Sequence, residues 1–273
     1  MRPGRLVAVI AVVSACAHTA PSARDPRPAT ESVPATASAT SPANVPSIPF
    51  PPNDTTRPQP RIARARAALL TPPPADATIL FDGTSLENWL DDKNAPARWT
   101  VRDGYMEVAA GTGNIHTTSS WGDVQLHIEW MAPLPPEGEG QLRGNSGVFL
   151  MNKYELQILD SYGNDTYADG HAGAIFGEYP PSANASLPPG EWQSYDVIFH
   201  RPHFDGTRLV EPARFTVIWN GVLVQDNVSL VGPTGQQRRP YTAHADRLPI
   251  GLQDHAFKVR FRNIWVRELN GAD

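Results

Sequence analysis

From Ala77 onward the chain is a succession of short segments in which apolar and polar residues alternate, the period of half-buried β-strands. In VQLHIEW, residues 124–130, Val124, Leu126, Ile128 and Trp130 fall on one face and Gln125, His127 and Glu129 on the other. RFTVIWNGVLVQDNV, residues 214–228, is divided by Asn220-Gly221, two residues that accept the positive φ of a tight hairpin turn, so it predicts two antiparallel strands. FKVRFRNIWVREL, residues 257–269, sets Phe257, Val259 and Phe261 against Lys258, Arg260 and Arg262, then keeps Ile264 and Val266 in the opposite phase. That change of phase predicts a bulge near Asn263. No segment holds a helical period over about 12 residues. Roughly ten to twelve short strands therefore predict an all-β domain, two packed antiparallel sheets in a sandwich or jelly roll.

Composition changes the picture at the N-terminus. Residues 1–76 hold 15 of the 28 prolines and a single aromatic, Phe50, while all seven Trp and all seven Tyr lie beyond Ala77. Such a segment has too little apolar surface to offset the entropy of ordering a core of its own. Residues 17–60, rich in Pro, Ala, Ser and Thr, predict a disordered, semi-stiff tether. RIARARAALL at 61–70 has the make-up of about two helical turns halted by Pro72, Pro73 and Pro74, either docked on the domain or disordered. The expected organisation is a leader over 1–15, Cys16 with its linker to residue 76, and one folded domain over 77–270.

The leader reading rests on two Arg within Met1–Arg5, the apolar run Leu6–Val13, and small residues at Ser14 and Ala15, a secretory signal peptide pattern. Its apolar run is far below the roughly 20 residues that span a bilayer. Val13-Ser14-Ala15-Cys16 is similar to the lipobox of bacterial lipoproteins, which implies lipidation of Cys16 and a membrane contact through acyl chains alone. Ala17 stands where Asp would signal inner-membrane retention, so the expected location is the outer membrane facing the periplasm. The alternative is an ordinary signal peptide with an incidental cysteine. As the only cysteine, Cys16 excludes an internal disulfide and any multi-cysteine metal site.

Eight Arg, no Lys and four acids give residues 1–76 a charge of +4; the whole chain carries −5, which leaves −9 on the rest. A basic face for nucleic acid is therefore not expected.

The densest polar stretch is RGNSGVFLMNKYELQILDSYGN, residues 143–164. Within it Tyr154, Leu156 and Ile158 share one strand face and Glu155 and Gln157 the other, about 7 Å apart. A bulge near Leu159 would bring Asp160 to the same surface. Acid, amide and acid at these spacings are similar to the E-x-D-x-x-E strand of laminarinase-type glycoside hydrolases, which also use a jelly roll. Gln157 stands for the middle acid and Asp160 for the second Glu, changes at odds with a standard two-carboxylate retaining mechanism. The competing structural reading has Glu155 and Gln157 simply facing solvent. Asn145 precedes the strand, DGHAGAIFGEYPP (169–181) brings His171 in a Gly-rich loop, and GLQDHAF (251–257) adds Gln253, Asp254 and His255. His116, His127, His200, His203 and His244 lack comparable polar neighbours in sequence.

LFDGTSLENW (80–89), WTVRDGYMEV (99–108), GNSGVFL (144–150), YELQILDS (154–161), GAIFGEYPP (173–181), GEWQSYDVIF (190–199), WNGVLVQ (219–225) and PIGLQDHAFKVRFRNIWV (249–266) together resemble, in order and spacing, the 3-keto-disaccharide hydrolase domain family. The family is also described as 3-keto-glucoside 1,2-lyase and 3-keto-2-hydroxyglucal hydratase. The resemblance spans Ala77–Leu269 and implies a concanavalin-like jelly-roll sandwich acting on glycosides oxidised at C3. It implies abstraction of the acidified C2 proton, loss of the C1 substituent and hydration of the resulting glycal. It implies Glu155 or His255 as base or acid, with Arg143, Asn145, Gln157 and Gln253 holding sugar hydroxyls or the C3 carbonyl, and Arg262 as a candidate for enolate stabilisation. Asp160 and His171 stand as a second acid or as ligands of a divalent cation, for which no tight motif is present. An upstream sugar 3-oxidoreductase would supply the substrate. A non-catalytic carbohydrate-binding module and an ordinary retaining hydrolase remain the alternatives.

Overall fold

The computed structural model describes residues 43–269. The leader, Cys16 and the tether as far as residue 42 lie outside the described residues. No α-helix occurs among them, only the 3-10 turns Gly140–Leu142 and Ala168–Gly170.

Two antiparallel sheets form the domain. The larger has eight strands, running from Val222–Ser229 through Arg214–Trp219, Trp192–His200, Val124–Met131, Arg260–Glu268 and Tyr105–Glu107 to Thr100–Arg102. Thr78–Phe81 pairs with the second half of Arg260–Glu268. The smaller sheet is ordered Trp89–Asp91, Ile115–Thr117, Gly251–Leu252, Ser146–Leu150, Tyr154–Ile158. The expected devices are present. Asn220 and Gly221 take φ of 48° and 77° at the hairpin tip. The register of Arg260–Glu268 slips between Arg262 and Trp265, with Asn263 at φ 46°.

Alternation supplies the core. Trp130, Tyr195, Phe199 and Trp219 from the large sheet meet Tyr154, Leu156 and Ile158 from the small one, all fully buried. Tyr154 and Phe199 lie 5.6 Å apart across the sandwich. The Tyr195 hydroxyl donates to Gln157 O at 2.8 Å, so the phenol's polar end is satisfied while the two sheets are tied together.

The N-terminal strap corrects the expected tether and helix. Residues 43–71 lie on the domain. Arg61–Ile62 is a strand paired parallel to Ala183–Asn184. Ala63 N donates to Asn184 O (2.9 Å), Arg66 N to Asn220 O (3.0 Å), Ala68 N to Ser194 Oγ (3.1 Å), and Leu70 N to a Glu129 carboxylate oxygen. A helix over 61–70 would need these same N–H groups for its own ladder, so docking and helix formation exclude each other. The strap lacks a core, as its composition requires, and it is held by polar groups that would otherwise be buried unpaired.

Candidate active site

The outward face of the small sheet carries the predicted chemistry. Register places Glu155 opposite Phe149, Phe149 opposite Gly251, and Gly251 opposite His116. In the next row Gln157 stands opposite Gly147, and Gly147 O accepts from Gln253 N at 3.1 Å. Glu155, Gln157 and Gln253 therefore share one face of three adjoining strands.

That face is roofed, which alternation alone does not predict. Glu155 is 6% exposed and Gln157 1%. The segment after Thr166 folds back along the strand edge: Gln157 N donates to Ala174 O (2.9 Å), Gly173 N to Gln157 O (3.0 Å) and Phe176 N to Glu155 O (3.3 Å). Tyr167, packed 6.4 Å from Phe176, belongs to the same roof. Gly147 is required below it, because a Cβ there would run into Glu155 Oε1 and the Phe149 ring.

With no cation at the carboxyl, burial pushes the Glu155 pKa up to about 8. With its nitrogen turned to Ser146 O at 2.9 Å and Glu155 Oε1 at 3.2 Å, the Gln157 amide donates to the carboxyl. The amide thus steadies the carboxylate without neutralising it. Burial raises the Tyr167 phenol to about 12, with the charges of Asp169 and Glu155 adding to the effect, so Tyr167 keeps its proton at neutral pH.

Arg143 and Asp160 stand where the strand ends, lining a cavity of about 280 Å³ with Glu137, Gly144, Phe257 and Lys258. Arg143 Nε donates to Asp160 Oδ2 at 2.7 Å, and Tyr162 N to Asp160 Oδ1 at 3.2 Å. Burial raises the Asp160 pKa despite the facing guanidinium. Both its oxygens are engaged, so its evident work is to aim Arg143.

Gln253 Oε1 is buried with no hydrogen-bond partner among the described residues, an open acceptor beside Gly147. His255 is exposed and stacks on Phe257 at 5.9 Å, in the turn whose Ala256, Phe257 and Lys258 line the Arg143 cavity. Asn145 sits behind the surface, its Nδ2 donating to Gln141 O at 2.9 Å.

Two predicted site residues are not brought here. His171 is buried, its Nδ1 3.2 Å from Ser161 Oγ and its Nε2 3.0 Å from Gln59 Oε1 in the strap. Burial lowers its pKa to about 4, leaving a neutral ring with both nitrogens occupied. Arg262 belongs to the large sheet, where its Nε donates to Glu129 Oε2 at 2.7 Å and its guanidinium lies 4.1 Å from the centre of the Trp192 ring. Alternation put Arg262 on an outer face but could not tell which sheet that face would belong to.

Sequence reasoning missed Tyr167 and Gln141, which sit in loops without periodicity. Gln141 Nε2 donates to Thr166 Oγ1 and Gly170 O, both at 2.9 Å, and so ties the roof down. It also passed over His127, whose Nδ1 lies 2.7 Å from Asp196 Oδ1 and whose ring stacks 5.4 Å from Trp265. Burial works to raise the Glu129 pKa, but His127, Asn263, Arg262 and Leu70 N together hold it down at about 2. Glu129 and Arg262 therefore form a charged brace of the large sheet.

Arg262→Ala is accordingly expected to leave kcat within about twofold of wild type while lowering thermal stability. The loss should fall somewhat short of the roughly 3–5 kcal/mol of an isolated buried pair, because His127 and Asn263 still hold Glu129. A kcat collapse with unchanged Tm would restore Arg262 to the site.

Among the described residues no group of three or more His, Cys, Asp or Glu side chains is arranged to hold a metal ion.

Comparison with known proteins agrees with the fold. A family model described as a 3-keto-alpha-glucoside-1,2-lyase-like domain matches residues 76–267. A curated 3-keto-disaccharide hydrolase of Bacteroides thetaiotaomicron is 24% identical over 255 residues, covering 74% of this chain and 82% of the relative. The crystal structure of a protein provisionally named as a glycosyl hydrolase from Parabacteroides distasonis ATCC 8503 is 40% identical, with a TM-score of 0.71 over 78% of this chain and 93% of that one. A second such structure from the same organism, 22% identical with a TM-score of 0.51 over 71% of this chain and 99% of that one, shares the fold alone.

Proposed function

The chain belongs to the family of 3-keto-alpha-glucoside-1,2-lyase-like domains, and from that footing we propose that it cleaves glycosides already oxidised to a ketone at C3. The membership makes it a carbohydrate-active enzyme; the keto substrate and the roles below are the proposal. One observation carries it: a carboxylate on the outward face of the small sheet, buried, without a cation, and poised near pH 8.

A C3 ketone acidifies the C2 proton because the resulting carbanion is delocalised as an enolate. Glu155 takes that proton as general base, and a pKa of about 8 gives it more basicity than an ordinary carboxylate. Tyr167 supplies a neutral donor for the negative charge developing on the C3 oxygen, and Gln157 keeps the Glu155 carboxyl in place. The electron pair then expels the C1 oxygen, which collects a proton from His255 at the open rim, leaving an alcohol and a 2-hydroxyglucal-3-ulose. Addition of water across its C1–C2 double bond completes a net hydrolysis. Arg143, aimed by Asp160, and the open acceptor on Gln253 hold hydroxyls of the ring. An ordinary retaining mechanism is less well supported, since both oxygens of Asp160 are committed to Arg143 and Tyr162.

The remaining parts of the reading are export, attachment through acyl chains on Cys16 at the outer membrane, and supply of the keto sugar by a separate sugar 3-oxidoreductase.

Incubating the full chain with maltose and cellobiose and with their 3-keto derivatives, with and without chelator, tests the proposal. Cleavage of the keto sugars alone is expected. Cleavage of the plain sugars would point to an ordinary hydrolase, and binding without turnover of any of them to a carbohydrate-binding module.

A further inference from the structure

The row that begins at Glu155 continues past it. Phe149, Gly251 and His116 follow on successive strands, so Gly251 lies two strand spacings, about 10 Å, from the Glu155 strand on the same outward face. There the sheet opens into a separate hollow of about 240 Å³, whose lining includes Asp92, Asn114, His116, Phe149, Asn152 and Gly251. Its volume is below the roughly 300–1,000 Å³ of pockets for drug-sized ligands, a size suited to a single ring.

Its chemistry is specific. A Cβ on Gly251 would collide with Asn152 Oδ1, so only glycine leaves this floor flat with the amide folded over it. Phe149 is part-exposed and offers an apolar wall between the hollow and Glu155. Imidazole and amides donate and accept, as vicinal hydroxyls do. His116 Nδ1 lies 3.1 Å from Thr117 O, and its Nε2 makes no hydrogen bond among the described residues. No Lys or Arg lines the hollow, and its one carboxylate, Asp92, accepts from Asn114 N at 3.1 Å. A uronate or sugar phosphate would meet no counter-charge here; a neutral pyranose would meet an apolar wall and mixed donors and acceptors.

The geometry points to a second sugar subsite in this hollow, holding the neutral pyranose unit joined to the one that reacts over Glu155. This rests on the proposed function and deepens it: His116 and Asn152 set how firmly the second sugar unit is held.

The test compares the full chain with His116→Ala and Asn152→Gly, the latter keeping a residue at ease with the φ of 52° at that position. For each protein, kcat/KM is measured for 3-keto-maltose and 3-keto-cellobiose and for the methyl 3-keto-glucoside of the matching anomer. The ratio of disaccharide to methyl glycoside is expected to fall at least fivefold in both variants, a readout that partial misfolding would not move. An unchanged ratio would overturn the subsite. Calorimetric binding of plain maltose and cellobiose, each against glucose, decides the matter independently. Tighter disaccharide binding that is lost in His116→Ala supports the subsite even if no keto sugar is turned over, an outcome that would sink the proposed reaction instead. Equal affinity for glucose and both disaccharides would count against it.

Discussion

Glu155→Gln is expected to lower turnover of a 3-keto-glycoside by at least about 10²-fold, the usual worth of a positioned general base, and at the same time to make the protein more stable above neutral pH. The two effects share a cause. A carboxyl with an ordinary pKa of 4.5 is held at about 8 in the folded protein by burial. The folded state therefore keeps a proton that the unfolded state releases. Stability from this group is complete below pH 4.5 and is lost as pH rises through about 8. The gap corresponds to roughly 5 kcal/mol as an order of magnitude. Gln carries no charge to desolvate, so its Tm should match wild type near pH 4 and exceed it by a growing margin up to about pH 8. Catalysis runs in the opposite sense: wild-type kcat/KM should climb with pH through the same region as Glu155 ionises. Retained turnover in the Gln variant, or a rising limb that survives in its residual activity, would remove Glu155 from the mechanism.

Removing residues 43–71 is expected to lower Tm by at least about 10 °C, although the family match begins only at residue 76. The strap meets groups that water no longer reaches. Asp169, fully buried, receives Asn53 N at 3.2 Å and has Arg57 Nη1 at 3.6 Å. His171 loses Gln59, and Glu129 loses Leu70 N. An orphaned buried polar group costs about 1–3 kcal/mol, and more when it is charged. Three such sites amount to about 5 kcal/mol or more, and each kcal/mol shifts Tm by roughly 2–4 °C in a domain of this size. Activity should fall as well, because Asp169 and His171 flank the turn that carries Tyr167 over Glu155. Thermal denaturation of the truncated and full chains checks this; coincident melts would make the strap a passive passenger.

How much of this was legible depends on the range of the interaction. The strands around Val124, Phe215 and Phe261, the Asn220-Gly221 hairpin and the slip at Asn263 follow from side-chain alternation and local φ preferences, so the sequence determined them and with them the all-β sandwich. The same alternation put Glu155 and Gln157 together on an outward face, and the order of short motifs pointed to the family. The rest was decided by tertiary structure. Nothing local says that residues 166–178 fold back over Glu155, that Arg262 faces Glu129 and Trp192 on the other sheet, that His171 is closed off by Gln59, or that a Pro-rich segment donates its N–H groups to buried acceptors. Alternation is a period of two imposed by the backbone, and it sorts side chains into inside and outside. Whether an outside is roofed, and what dielectric a carboxylate then feels, is set by segments distant in sequence, and there the basicity of Glu155 arises.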